Sequence, residues 1–491
     1  MQLYDKDLLS VQEVRELVEK AKAAQEELSQ KSQAEVDAIV KSIAYAGVRN
    51  AKRLAKLAHE ETGFGIEADK VIKNIFGSRD VYEHIKDMKT IGELGYDEEK
   101  KVRTIAVPVG VIAGLIPSTN PTSTAFYKSE ISIKAGNAIV FSQHPNARNC
   151  ILEAVKVIRQ AIAEAGGNEN LVSCITIPTI QATDNLMKHP DVALILATGG
   201  SAMVRAAYSS GTPAIGVGPG NGPAYIEKTA DLPLAVKRIM DSKTFDNGTI
   251  CASEQSVVCD KDMEDAVRAE MEKQGAYFLT DEQIAKLGKF ILRANGTMNP
   301  MIVGKSAQVI ADLAGIDIPA GTKVLVAKET GIGRGHPYSN EKLAPILAFY
   351  TADDYKEICR LVQDILHYEG AGHTFSMHTK DPEMVNYFAM RVPASRIIVN
   401  TPSALGGIGG TTGLMPALTL GCGAIGGSAT SENVGPMNLL NKRHVAEGLL
   451  ELDEIKAGLP TCTDGMCSGP KAEDVDIDAV VNEIVKRLRS M

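Results

Sequence analysis

Between Val109 and Gly220 the chain repeats one pattern five times: a short, almost wholly apolar run followed by residues at helical spacing or a tight turn. The runs are "VGVIAGLIP", "NAIVFSQHP", "LVSCITIP", "VALILATGG" and "PAIGVGPG". Apolar residues at consecutive rather than alternate positions mean that both faces of each strand are covered, as in a parallel sheet. Helices such as "NCILEAVKVIRQAIAEAGG" and "SAMVRAAYSSG" fill the intervals. The result is an open doubly wound α/β sheet, whose ligands bind beyond the carboxyl ends of its strands. A second series follows "DSKTFDNGTIC": "QSVVCD", "TKVLVAK", "ILAFYTA", "HTFSMHT" and "SRIIVNTP" read as strands, and "DYKEICRLVQDIL" as a helix. A chain of 491 residues exceeds one core, so two parallel-sheet domains meeting near 240–250 are expected.

The flanks read differently. "SVQE", Ser10 to Glu13, has the form of a capping box opening a helix with Val11, Val14, Leu17 and Val18, and helical patterns run on to Gly63. "VRTIAVPVGVIAGLIP", β-branched and broken by Pro108 and Pro117, reads as two consecutive strands. Near the other end, "AGLPTCTDGMCSGPKAED" has linker composition. The stretch after it places Ile477, Val480, Val481, Ile484, Val485 and Leu488 on one helical face. Acids at its start and Lys486, Arg487 and Arg489 at its end suit the helix dipole.

A net charge of −9 with no basic stretch argues against nucleic acid. No apolar run approaches the roughly 20 residues of a membrane span, and "MQLYDKDLLS" lacks the regions of a secretory signal. A cytoplasmic protein without disulfides is expected. Of the eight cysteines only Cys462 and Cys467 are close, with no second pair or histidine nearby, so no metal site is expected. "GCGAIG", Gly421 to Gly426, matches a dinucleotide fingerprint literally, but no acidic residue closes a strand about 20 residues on, and it reads as a turn.

Cys251 stands apart from the other thiols. A free cysteine is most often a packing residue, yet Gly248, Thr249, Ser253 and Glu254 give this one a polar setting, unlike Cys174 or Cys359. Glu254 reads equally as a surface charge. Asn120, in "IPSTNPTS", is either a turn residue beside proline or an amide donor to an oxyanion at the end of a strand.

The ordered segments "IPSTNP", "ATGGSAMVRAA", "GVGPGNGP", "NGTICASEQ", "EKLAPIL" and "SALGGIGG" resemble the aldehyde dehydrogenase superfamily along nearly the whole chain. "TLGCGAIGGSATSENVGPMNLLN" resembles its coenzyme A-acylating branch, including the corresponding half of bifunctional aldehyde-alcohol dehydrogenases. The resemblance implies a nucleotide-binding domain over 1–240 with an oligomerisation strand at 100–108, and a catalytic domain over 241–418. A return to the first domain over 419–456, a linker over 457–474 and a targeting helix over 475–491 complete it. It makes Cys251 the nucleophile and Asn120 the oxyanion donor. It places Ser118, Thr119, Gly218 and the turn Thr198, Gly199, Gly200 and Ser201 at the cofactor, with Glu341 at the nicotinamide ribose. Ser142, Gln143 and His144 stand where hydrolytic members grip the adenosine ribose, leaving NAD against NADP open, although this branch mainly uses NAD. Pro145 and Pro178 edge the adenine region.

Hydrolytic members also carry a glutamate that activates water against the thioester; Val217 stands at that position here. Valine accepts no proton, and general-base help is typically worth about 10²- to 10⁴-fold. Coenzyme A is then the expected acyl acceptor, and acetaldehyde or propionaldehyde the expected substrate. Alternatives are a phosphorylating semialdehyde reductase and a catalytically inactive structural homologue. The resemblance further implies a homodimer or dimer of dimers, and a tail that docks on a shell protein or co-packaged enzyme of a bacterial microcompartment.

Overall fold

The computed structural model describes residues 5–457; the predicted linker beyond Ala457 and the predicted helix 475–491 lie outside the described residues. The five apolar runs form one five-stranded parallel sheet, in the spatial order Val172–Cys174, Ala138–Gln143, Val111–Ile116, Val192–Thr198, Ala214–Val217. The chain begins at the central strand, winds outward on one side, then crosses to the other. Strand order therefore reverses between Val111–Ile116 and Val192–Thr198, the position where doubly wound sheets open a ligand crevice.

Helix Pro121–Lys134 runs behind that crevice with every residue buried, polar ones included. Lys128 explains part of this: its ammonium donates to the carbonyls of Leu115 (2.7 Å) and Leu196 (2.8 Å), tying the two strands together at the reversal. Burial holds that ammonium well below its usual pKa.

The second series forms a seven-stranded parallel sheet, ordered Ala276–Phe278, Val324–Lys328, Ile346–Ala352, Ser256–Asp260, Pro223–Ile226, Gly372–His378, Ala394–Val399. Two of these strands escape the sequence reading because they are three and four residues long. Pro223–Ile226 sits mid-sheet, paired with Ser256–Asp260 and Gly372–His378. The chain thus enters the second sheet just after residues 218–222, ahead of the expected boundary at 240. Pro223 is that strand's first residue, a position that tolerates the missing N–H.

The first helix is also corrected. It spans Lys6–Leu28, capped by Asp5, whose carboxylate accepts from the Asp7 and Leu8 amides. Ser10 lies inside it, bonded to Thr179 Oγ1 at 2.8 Å, and Glu13 reaches the amides of Thr176 and Ile177 instead of its own helix. A second helix, Gln33–Thr62, carries a true capping box from Ser32 and Glu35 and ends on left-handed Gly63.

A separate small unit, Glu93–Ile105 with the described chain from Arg443 to Ala457, is built on a three-stranded sheet ordered Gly92–Asp97, Val102–Pro108, Leu440–Ala446. Leu440–Ala446 is an edge strand exposed from Asn441 onward. No described helix is long and apolar enough to cross a membrane.

Candidate active site

Within the large unit, the carboxyl ends of the first sheet meet loops that lead into the second. Ser118, Thr119 and Asn120 follow Val111–Ile116, Ser142 and His144 close Ala138–Gln143, and Thr198 to Ser201 follow Val192–Thr198. The segment Gly218–Gly222 runs from Ala214–Val217 straight into Pro223–Ile226. From the second sheet, Cys251 precedes Ser256–Asp260, Glu341 precedes Ile346–Ala352, and His373 lies at the start of Gly372–His378.

Cys251 is half-buried on a loop whose neighbours Ile250 and Ala252 pack in the first sheet's core. A Cβ on Gly220 would lie 2.0 Å from the Cys251 carbonyl oxygen and 3.0 Å from His373 Cε1, so only glycine lets these three segments close up. The Gly220 amide donates to Glu341 Oε1 at 2.8 Å. Cys251, Gly220, Glu341 and His373 therefore form one cluster. Burial, then Glu341 and Cys422, push the Cys251 thiol up to about 12, with Arg396 opposing. Burial, reinforced by Glu369, pushes Glu341 up to about 8, so its carboxyl is mostly neutral at pH 7.

Asn120 reaches the same loop through a lysine. Lys73 Nζ donates to Asn120 Oδ1 (2.6 Å), to Thr249 Oγ1 (2.8 Å) and to the Asp246 carboxylate. An ammonium only donates, so Asn120 must turn its oxygen to Lys73, leaving its amide N–H groups toward other partners. Asn120 Nδ2 has only a 3.4 Å contact with Thr119 Oγ1. Asp246 and Asn247 adopt left-handed backbone, φ 48° and 52°. Although burial raises it, Lys73 and Lys70 hold the Asp246 carboxyl below its ordinary value.

His373 was missed in the sequence because nothing in "HTFSMHT" sets it apart from a strand histidine. It is fully buried; Nδ1 pairs with Thr374 Oγ1 at 2.9 Å and Nε2 has no partner. Burial and Arg396 lower it to about 3, keeping the ring neutral. Glu254 is no surface charge: it is buried, its Oε1 accepts the Ser403 amide at 3.0 Å, and burial raises it to about 7.

The remaining predicted positions differ in exposure. A Cβ on Gly200 or Gly218 would meet nothing within 4 Å, and one on Gly199 only Met203 at 3.8 Å, so neither turn is crowded on that side. Ser118 and Thr119 are half-buried, whereas Ser201, His144 and Pro145 are exposed. Ser142 Oγ pairs with Thr183 Oγ1 at 2.7 Å. Gln143 is spent on structure, bonding the Ile175 carbonyl and the Cys174 thiol. "GCGAIG" forms a turn, with Gly421 bonded to Glu432 rather than facing a helix N-terminus at a strand end. Among the described residues, no group of three or more His, Cys, Asp or Glu is placed to hold a metal ion.

Comparison with known proteins identifies relatives along most of the chain. The bifunctional aldehyde-alcohol dehydrogenase of Escherichia coli is 45% identical over 443 residues, which cover 89% of this chain and 50% of that protein. The chain spans about half the length of the first curated relatives it matches. A probable aldehyde dehydrogenase from Listeria monocytogenes shares its structure at TM-score 0.91 and 64% identity, over 92% of this chain and 100% of that one. For an acetylating aldehyde dehydrogenase from Geobacillus thermoglucosidasius the values are 0.90 and 51%, over 92% and 99%. At 28% identity stand two propionaldehyde dehydrogenases. One, from a Clostridium phytofermentans fucose utilisation microcompartment, has TM-score 0.81 over 88% and 97%. The other, from Rhodopseudomonas palustris with bound propionyl-CoA, has 0.80 over 88% and 94%. The model of the aldehyde dehydrogenase family matches residues 3–411. With the family model matching most of the chain and these relatives sharing its sequence and fold, the chain belongs to the aldehyde dehydrogenase family.

Proposed function

We propose that the protein oxidises a short-chain aldehyde, acetaldehyde or propionaldehyde, to its coenzyme A thioester. The observation that carries this reading is the lack of a proton acceptor at Val217. The side chain is 2% exposed and packs in the first sheet's core, and the Gly218–Gly222 segment that follows carries no carboxylate. Glu341, the carboxyl nearest the nucleophile in this cluster, is mostly protonated at neutral pH and already accepts from Gly220. Water attack on an acyl-cysteine lacks its base, whereas a thiol is intrinsically nucleophilic and needs less help.

In this reading Cys251 Sγ attacks the aldehyde carbon and loses its proton. The Asn120 amide and the Cys251 backbone N–H support the oxyanion. His373, held neutral by burial and Arg396, is too weak a base for that proton, which leaves to solvent. Ser118, Thr119, Gly218 and Thr198 to Ser201 would hold the nicotinamide, Glu341 its ribose, and Ser142, His144 and Pro145 the adenosine half. NAD, when bound, supplies the hydride acceptor. Coenzyme A then takes the acyl group, and the sequence runs in reverse. The test is NADH formation from aldehyde with coenzyme A, phosphate or neither, alongside mass spectrometry of Cys251. Turnover with coenzyme A only, and an acyl adduct on Cys251 without it, are expected. Turnover with phosphate would favour the semialdehyde reductase, and none at all an inactive homologue.

The exposed edge strand Leu440–Ala446 supports pairing with a second copy into a dimer or dimer of dimers. The apolar stripe from Ile477 to Leu488 supports a docking role for 475–491, on a shell protein or co-packaged enzyme of a microcompartment. Deleting 458–491 should leave turnover unchanged, and a fluorescent reporter carrying that segment should enter shells; lost turnover with a diffuse reporter would return the tail to a structural role.

A further inference from the structure

The buried lysine beneath Asn120 has no part in the reaction described above, yet it touches both halves of the site. Its three acceptors are the Asn120 amide oxygen, the Thr249 hydroxyl and the Asp246 carboxylate. The first lies at the carboxyl end of a first-sheet strand. The other two sit on the loop that carries Cys251, two and five residues ahead of it. We propose that Lys73 is a positioning residue that fixes the Asn120 amide, oxygen inward and N–H outward, at a set distance from the Cys251 loop. The inference rests on the reading of Asn120 as oxyanion donor.

Chemistry favours this over a packing role. Hydroxyl or amide partners would accept either orientation of the Asn120 amide, which can rotate to suit them. An ammonium cannot. The Asp246 carboxylate is held independently by Lys70 (3.0 Å), the Ile66 amide (2.7 Å) and Thr249 Oγ1 (2.7 Å), so it does not depend on Lys73 alone for neutralisation. Lys73 is the sole donor in this network to Asn120 Oδ1 and to Thr249 Oγ1, but the Thr249 hydroxyl also donates to the Asp246 carboxylate and is held without Lys73, whereas Asn120 Oδ1 has no second anchor. Lys73 is 3% exposed, so water does not stand in for it.

The test is a double-mutant cycle on acyl-enzyme formation, read as the NADH burst from acetaldehyde and NAD without coenzyme A. Asn120→Ala should slow the burst by about 10²- to 10³-fold, the usual loss for one oxyanion donor. Lys73→Met should slow it at least tenfold with little change in the aldehyde concentration giving half-maximal rate. In the Asn120→Ala background the same Lys73→Met change should cost less than twofold. Lys73→Arg, which keeps a charged donor, should recover part of the loss, and it serves in the cycle if the methionine variant does not fold. A full additive loss in the double variant would overturn the positioning role and leave Lys73 structural. A wild-type burst in Asn120→Ala would instead sink the oxyanion reading, with Lys73's role falling alongside it.

Discussion

Gly220 offers a test of the site's geometry by a single methyl group. Its φ is not left-handed, so alanine meets no backbone penalty there, and any effect is steric. The added Cβ would lie 2.0 Å from the Cys251 carbonyl oxygen, where ordinary contact begins near 3.4 Å. The Cys251 backbone, or the Gly220 strand lead-in, must retreat by about 1.4 Å, and the His373 ring must give by a few tenths. Misplacement of a reacting group by about 1 Å costs on the order of 10²-fold in rate, or about 2.7 kcal/mol of barrier. Overpacking adds about 1–3 kcal/mol of lost stability. Gly218→Ala, two residues earlier, meets nothing within 4 Å and is the control. The assay compares the NADH burst, the rate of Cys251 alkylation by iodoacetamide and the unfolding midpoint for both variants. Gly220→Ala should lose about 100-fold in the burst and unfold earlier. Gly218→Ala should keep its stability and alkylation rate, but need more NAD, because its methyl enters the space over the turn. A Gly220→Ala protein that acylates at the wild-type rate would refute the cradle.

Other outcomes follow from the same geometry. Cys251→Ala should abolish NADH formation, whereas Cys259→Ala, buried in strand Ser256–Asp260, should keep turnover within about threefold and cost about 1 kcal/mol of stability. Val217→Glu should raise carboxylate release only slightly, because the new group enters a packed core; stability should fall by about 3 kcal/mol, and rapid hydrolysis by this variant would show that the site can use a base there. With Cys251 held near 12, iodoacetamide alkylation should rise about tenfold per pH unit from 7 to 9. Glu341, neutral below about 8 and charged above, opposes the thiolate only at the upper end, so Glu341→Gln should alkylate faster than wild type at pH 9 and similarly at pH 7.

The first sheet was legible because its strands are buried on both faces and read as unbroken apolar runs; all five predicted strands are present. Pro223–Ile226 and Ala276–Phe278 were too short to show periodicity, and each is held by its neighbours rather than by its own residues. Helix Pro121–Lys134 was illegible for the opposite reason. Eight of its residues are Thr, Ser, Lys or Glu, a surface composition, and only the fold reveals that Lys128 serves two strand carbonyls. The capping box at Ser10 failed because a stronger cap, Asp5, stands one turn earlier. In the site, motif order pointed to Cys251 and Asn120. The surroundings that tune them, His373, Lys73 and Gly220, come from loops far apart in sequence, and no local pattern joins them.

The loop ahead of Cys251 draws its shape from a segment nearly two hundred residues upstream. Two consecutive non-glycine residues in left-handed backbone, Asp246 and Asn247, cost on the order of 1–3 kcal/mol each and persist only where surroundings over-determine them. Here the surroundings are residues 65–73. The Ile66 amide and Lys70 grip the Asp246 carboxylate, Asp69 accepts the Asp246 amide at 2.7 Å, and Lys73 joins the carboxylate to Asn120. Gly65 is what lets this segment approach, since a Cβ there would lie 1.8 Å from Asp246 Oδ1. Neither parallel sheet contains any of these residues. The sheets therefore set where their carboxyl-end loops can stand, while a short stretch of the N-terminal helical region sets how the Cys251 loop is bent and which way Asn120 faces.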